Sequence, residues 1–187
     1  MEKEALKRIF EFLEEKENNN IPFKWKLINN EPLTKEELNV EGELDFRNVK
    51  ITSLPEGLKI SGDLDLYSSN IESLPEGLKV GGDLVLHHSN ITSLPEGLKV
   101  GGSLRLGFTN IASLPKGLKL GGSLSLISSN ITHLPEGLKL GGSLSLISSN
   151  ITHLPEGLKV RGHLDLRNCK SLTSLPEGLE VGSDIYI

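Results

Sequence analysis

Cysteine is all but absent from this chain. Cys169 is the only one in 187 residues, which excludes an intrachain disulfide and fits a reducing compartment. Aromatic residues are also scarce, at 4%. Half of them, Phe10, Phe12, Phe23 and Trp25, crowd into the start of the chain, leaving little aromatic core for the rest. No apolar run approaches the roughly 20 residues that a membrane-spanning helix needs. Basic residues are in deficit, with a net charge of −5 and no clustered basic stripe, which argues against a nucleic-acid surface. The opening MEKEALKRIFEFLEEKE carries acids throughout its apolar positions, unlike a secretory signal. The expectation is a cytoplasmic protein, or one exported without a cleaved signal.

What the chain does have is repetition. Residues 121–140 and 141–160 read GGSLSLISSNITHLPEGLK followed by Leu140 in one block and Val160 in the other, with no other difference. Looser copies begin at Glu41, Ser61, Gly81, Gly101 and Arg161, and the chain ends inside a further copy, GSDIYI. A fixed period of this length is the mark of a solenoid, in which each unit buries its apolar face only against its neighbours. A lone unit should not fold. Residues 41–187 therefore form seven units of 20 or 21 residues and a truncated eighth. Residues 1–40 form an N-terminal cap: a helix over about 2–17, with Ala5, Leu6, Ile9, Phe10 and Leu13 on one face, and a degenerate unit over 21–40. In that unit Phe23 and Trp25 alternate with Lys24 and Lys26 as in a strand, while Leu38, Val40 and Gly42 match leucine, valine and glycine of later units.

Numbering each unit from one to twenty, apolar residues recur at positions four, six, eleven, fourteen, eighteen and twenty, as in Leu84, Leu86, Ile91, Leu94, Leu98 and Val100. The pairs four and six, and eighteen and twenty, have the period of extended chain with one face inward. Position two is glycine in every full unit, at a corner where a side chain would collide with the stack. Position fifteen is proline and position seventeen glycine, so the back should be extended chain and turns. Position nine (Ser69, Ser89, Thr109, with Val49 and Cys169 as replacements) reads as a small buried site. Position ten, mostly asparagine, reads as an exposed turn residue suited to the left-handed region.

The pattern LxLxx(S/T/C)NIxxLPxGL resembles a leucine-rich repeat over residues 41–187, and is closest to the short proline-containing repeats of bacterial proteins, including type III secreted effectors. The resemblance implies a right-handed coil with a parallel β-sheet on one face, extended and turn structure on the back, and a protein-binding role for the sheet face. In two respects the chain departs from the family: asparagine stands one position late, and a double glycine occupies the link before each LxL.

Side chains expected to point out of that sheet lie at positions three, five, seven and eight. Read down the columns, they give an acidic end (Glu43, Asp45, Asp63, Asp65 and Asp83) and a mixed middle (Tyr67, Val85, His87, His88, Arg105 and Phe108). Ile127 and Ile147 follow among serines. Aromatics, arginine and exposed aliphatics anchor interfaces, so the middle group with Ile127 and Ile147 is the expected partner site. The acidic end suits a basic partner, although solubilising an exposed sheet is the commoner use of such residues.

Chemistry is not indicated. His133 and His153 share a position in adjacent units, but two imidazoles without a third ligand make a weak metal site, and no cofactor is expected. No nucleophile–histidine–acid set or phosphate loop is visible, and Cys169 sits at a packing position, so no enzyme activity is expected. Ile185, Tyr186 and Ile187 end the chain on strand positions without a polar cap. The alternative reading is therefore a structural solenoid that pairs into a homodimer through this edge.

Overall fold

A unit with two short inward-facing pairs and a glycine corner between them can be wound into a coil only if each pair finds a ladder partner one turn away. The computed structural model, which describes residues 23–187, shows this happening twice per turn. The chain divides into two compact units, residues 1–37 and 38–187.

In the first unit the described part begins with an α-helix, α1, at Phe23–Asn29. The Phe-Lys-Trp-Lys alternation predicts a strand here, and the helix overturns that reading. Phe23 and Leu27 are one helical turn apart, Leu27 is buried, and the Asn29 side-chain amide donates to the Trp25 carbonyl at 2.9 Å. Four alternating residues are too few to separate a period of two from one of 3.6. Thr34 and Glu37 then bond reciprocally across a turn over residues 35–38, as in a capping box. The Thr34 amide donates to Glu37 Oε2 at 2.8 Å and the Glu37 amide donates to Thr34 Oγ1 at 3.2 Å. The helix expected over about residues 2–17 lies outside the described residues.

The second unit is a β-solenoid of about seven turns, built on two eight-stranded parallel sheets. Each strand is two residues long. One sheet stacks positions nineteen and twenty, from Asn39–Val40 through Lys59–Ile60 to Glu180–Val181. The other stacks positions four and five, from Leu44–Asp45 through Leu64–Asp65 to Ile185–Tyr186. Register advances by one unit per rung, pairing Leu44 with Leu64, and by one residue more at the last step, Leu164 with Ile185. Asn39 and Val40 pair with Lys59 and Ile60, so the alignment of Leu38 and Val40 with later units holds. The resemblance implied one sheet and a strandless back. A second sheet exists because positions eighteen to twenty also run extended, and in phase from rung to rung.

The six apolar columns fill the coil. Leu66, Ile71, Leu86, Ile91, Leu104, Leu106 and Ile111 have no exposed surface, and Phe46 closes the position-six column at its first rung. Position nine is buried as expected at Ser69, Ser89, Thr109, Ser129 and Ser149, and in three of these the hydroxyl is satisfied within its own turn. Ser89 Oγ donates to the Leu86 carbonyl at 2.7 Å and Thr109 Oγ1 to that of Leu106 at 2.6 Å.

The corner explains two columns of the sequence. At position two, amides donate backwards along the stack: Gly62 to Gly42, Gly82 to Gly62 and Gly102 to Gly82, each at 2.9 Å. At positions four, six and eight they donate forwards, as Leu44 does to Asp63, Phe46 to Asp65 and Asn48 to Tyr67. Between the two directions, the position-three amide is taken up by a side chain. The Asp83 amide donates to Asp63 Oδ1 at 2.7 Å, Ser103 to Asp83 Oδ1 at 2.7 Å, and Ser123 to Ser103 Oγ at 3.1 Å. Aspartate and serine at position three are thus acceptors that replace a missing rung of the ladder.

Candidate binding face

Positions six to nine form a tight turn at the edge of the second sheet, closed by the position-nine amide donating to the position-six carbonyl, as Ser89 does to Leu86 at 3.1 Å. Position eight is left-handed in every full coil: Asn48, Ser68, His88, Phe108, Ser128, Ser148 and Asn168 have φ between 51° and 60°. Position ten was the expected left-handed residue. It is exposed, but its φ is not positive, because the turn is completed two residues earlier. Asparagine and serine suit position eight, whereas a bulky side chain there is an outlier that costs of order 1–3 kcal/mol. Phe108 (φ 57°) is that outlier; its neighbour His88 (φ 58°) is a residue type enriched in this region.

Positions seven and eight carry an exposed run of rings. Tyr67 meets His88 edge-on with centroids 5.4 Å apart, and His88 stacks on Phe108 at 4.6 Å with planes 7° apart. Tyr67 is 38% and Phe108 50% exposed. The expected partner residues Tyr67, His88 and Phe108 are therefore brought together, on the rim of the sheet rather than on its strands. Ile127 and Ile147 are half-buried further along the same rim, and their carbonyls accept the ladder bonds of Phe108 and Ser128.

Beside the rim lies a shallow groove of about 430 Å³, lined by the acidic group together with Leu44, Arg47, Val85, His87 and Arg105. Each of four aspartates there has one oxygen engaged by the main chain or a near neighbour. Asp63 and Asp83 accept the position-three amides, and Asp45 Oδ1 and Asp65 Oδ1 accept the amides of Arg47 and Tyr67 two residues on, at 3.0 and 2.9 Å. This local demand supplies the reason for crowding carboxylates on adjacent rungs. Arg47 pairs closely with Asp45 at 2.6 Å and lies 3.7 Å from Asp65, which raises its own pKa, first through the Asp45 hydrogen bond. Arg105 reaches Asp83 at 3.4 Å. The sequence map passed over Arg47, although its place at position seven was legible from the register. The same Asp-x-Arg arrangement recurs at Asp165 and Arg167 at 2.6 Å, where the arginine hydrogen bond holds the Asp165 carboxyl below its ordinary range.

His87 is half-buried over Gly107. Its Nδ1 lies 3.2 Å from the Gly107 carbonyl, so Nδ1 carries the proton in the neutral ring. A Cβ at residue 107 would meet the His87 ring and, at 3.2 Å, the Ile127 carbonyl, which accounts for the one glycine in the position-seven column. Burial lowers the His87 pKa, more than the Gly107 hydrogen bond raises it, and the Arg105 charge lowers it further. The unfolded chain binds a proton at His87 near its ordinary pKa of about 6.5, before the folded chain does. This part of the stability is therefore fully present above about pH 6.5 and is lost as pH falls towards the folded value. Denaturant melts at stepped pH should show a decline below neutrality that His87→Gln flattens.

His133 and His153 lie parallel with centroids 6.3 Å apart. Among the described residues no group of three or more His, Cys, Asp or Glu converges on one point. The Cys169 thiol donates to the Leu146 carbonyl at 2.9 Å, a packing role. At the far end Leu175, Ile185, Tyr186 and Ile187 are exposed. No helix among the described residues is long and apolar enough to cross a membrane.

No family model, curated protein or solved structure matches this chain. The class that the fold defines is a repeating β-solenoid of about 20 residues per turn. Its regularly spaced leucine strands fit a leucine-rich-repeat-like protein.

Proposed function

We propose that this chain is a non-catalytic protein-interaction module of the leucine-rich-repeat kind, and that its partner sits on the groove and ring-bearing rim of the second sheet. The period and the LPEGL links support the short bacterial form of the family, in which such repeats serve as recognition domains, effectors included. The observation that carries the reading is the placement of His88 and Phe108. Five other coils meet the left-handed turn with asparagine or serine, smaller residues than phenylalanine. Two adjacent coils instead hold large exposed rings, stacked on each other, with His88 also edge-on to Tyr67. Rings of this kind, rigid and amphipathic, are the usual anchors of an interface.

The test separates binding from folding. Phe108→Asn should leave the solenoid at least as stable in a thermal melt, since asparagine relieves the strained turn. The same change, or Tyr67→Ala, should lower the recovery of a partner captured from the native cell by about tenfold or more. Full recovery with both variants would place the partner elsewhere.

A further inference from the structure

The ring-bearing rim and the groove beside it also constrain the chemistry of what docks there. Resting on the reading above, we infer that the occupant is an extended, arginine-bearing segment of the partner, whose guanidinium groups lie between the groove carboxylates and the rings of Tyr67 and Phe108.

Three observations narrow the occupant to this class. The groove sets five carboxylates (Glu43, Asp45, Asp63, Asp65 and Asp83) against two guanidiniums, a net charge of −3, with His87 held neutral by burial. An acidic segment or a nucleic-acid backbone is repelled, and a basic one is drawn in. The carboxylates are also pre-oriented. Asp63, Asp65 and Asp83 each have Oδ1 on a main-chain amide. The second oxygen meets only a loose cation or none: Asp65 Oδ2 lies 3.7 Å from Arg47 and Asp83 Oδ2 3.4 Å from Arg105, against 2.6 Å for the closed Asp45–Arg47 pair. An incoming guanidinium can take those oxygens without dismantling a tight pair. Finally, Tyr67 stands two residues from Asp65 on the same rung, and His88 joins it to Phe108. The Tyr67 amide donates to Asp65 Oδ1 at 2.9 Å, so this ring follows directly on a groove carboxylate, an order that favours arginine over lysine because the planar guanidinium forks onto a carboxylate and stacks on an aromatic face.

Fluorescence anisotropy on the whole chain, with labelled acetyl-GRGRGRG and its GKGKGKG and GEGEGEG counterparts, reads this directly. The arginine peptide should bind about fivefold or more tightly than the lysine peptide, and the glutamate peptide should not bind. Asp63→Asn with Asp65→Asn keeps an oxygen acceptor for each main-chain amide and should weaken the arginine peptide about tenfold. Glu136→Gln with Glu156→Gln, the same change of charge on the back, should weaken it less than twofold. Equal losses from the two double variants, equal affinity for arginine and lysine, or no binding of the arginine peptide would each overturn the inference. The broader interaction reading would survive any of these if Tyr67→Ala and Phe108→Asn still abolish partner capture. Its placement on this rim would fall with unchanged capture, whatever the peptides do.

Discussion

Leu106→Ala is expected to cost about 2–5 kcal/mol, and to do so in a way peculiar to a stack. Leu106 has no exposed surface and lies in the position-six column, between Leu86 and Leu126 of the neighbouring coils. Its amide donates to the Ser125 carbonyl at 2.8 Å, and its own carbonyl receives the Thr109 hydroxyl at 2.6 Å. The surrounding main chain is held by ladders on both sides, so the cavity cannot collapse and the loss should approach the upper end. Each coil touches only its neighbours, and a weakened central coil separates two shorter stacks. Hydrogen exchange should therefore show protection lost first around coils 81–120, with a broadened denaturant transition. A single sharp transition with a loss below about 1 kcal/mol would mean that the coils are not coupled in this way.

Gly122→Ala is the second large effect, and it acts through the main chain rather than the core. A Cβ on Gly122 would stand 2.8 Å from the Gly102 carbonyl carbon and 2.8 Å from the Ser103 amide nitrogen, both backbone atoms of the preceding coil. The Gly122 amide donates to the Gly102 carbonyl at 2.9 Å, so the coils cannot part without breaking that ladder. Overpacking of this kind costs about 1–3 kcal/mol, and more where only backbone can yield. The control is Gly137→Ala. Gly137 has φ 69° and open space around its Cβ, so its cost is conformational, about 1 kcal/mol as for single left-handed residues. The melting temperature should fall further for Gly122→Ala than for Gly137→Ala, and the reverse order would count against the close-contact account of the corner. Position one admits Glu41, Ser61 and Arg161 towards the two ends of the stack, but at Gly81, Gly101, Gly121 and Gly141 a Cβ would meet the carbonyl oxygen of the preceding coil.

Periodicity made the coil legible. The columns of Leu84, Leu86, Ile91, Leu94, Leu98 and Val100 named the core before any coordinates, because a repeat shows its inward face in every copy. The buried position nine and the glycine at position two followed for the same reason. At Phe23–Lys26 the alternation misleads, because a single copy offers no second unit to confirm a period. Tyr67, His88 and Phe108 stand out in the sequence because they break their columns. Their contact depends on a diagonal from position seven to position eight, and a column-by-column reading has no access to that diagonal.

By itself the sequence determined the period, the register, the six apolar columns and the need for glycine at the corner. Each of these rests on one-dimensional regularity, which every unit states again. Tertiary structure alone decided that there are two sheets, and that the ladder reverses direction between them. It thereby made Asp63 and Asp83 acceptors for amides that have no main-chain partner. Tertiary structure also put the left-handed residue at position eight and so carried His88 and Phe108 out onto the rim. Those outcomes depend on how one coil's amides meet the next coil's carbonyls, a relation between residues about twenty apart that no local pattern encodes.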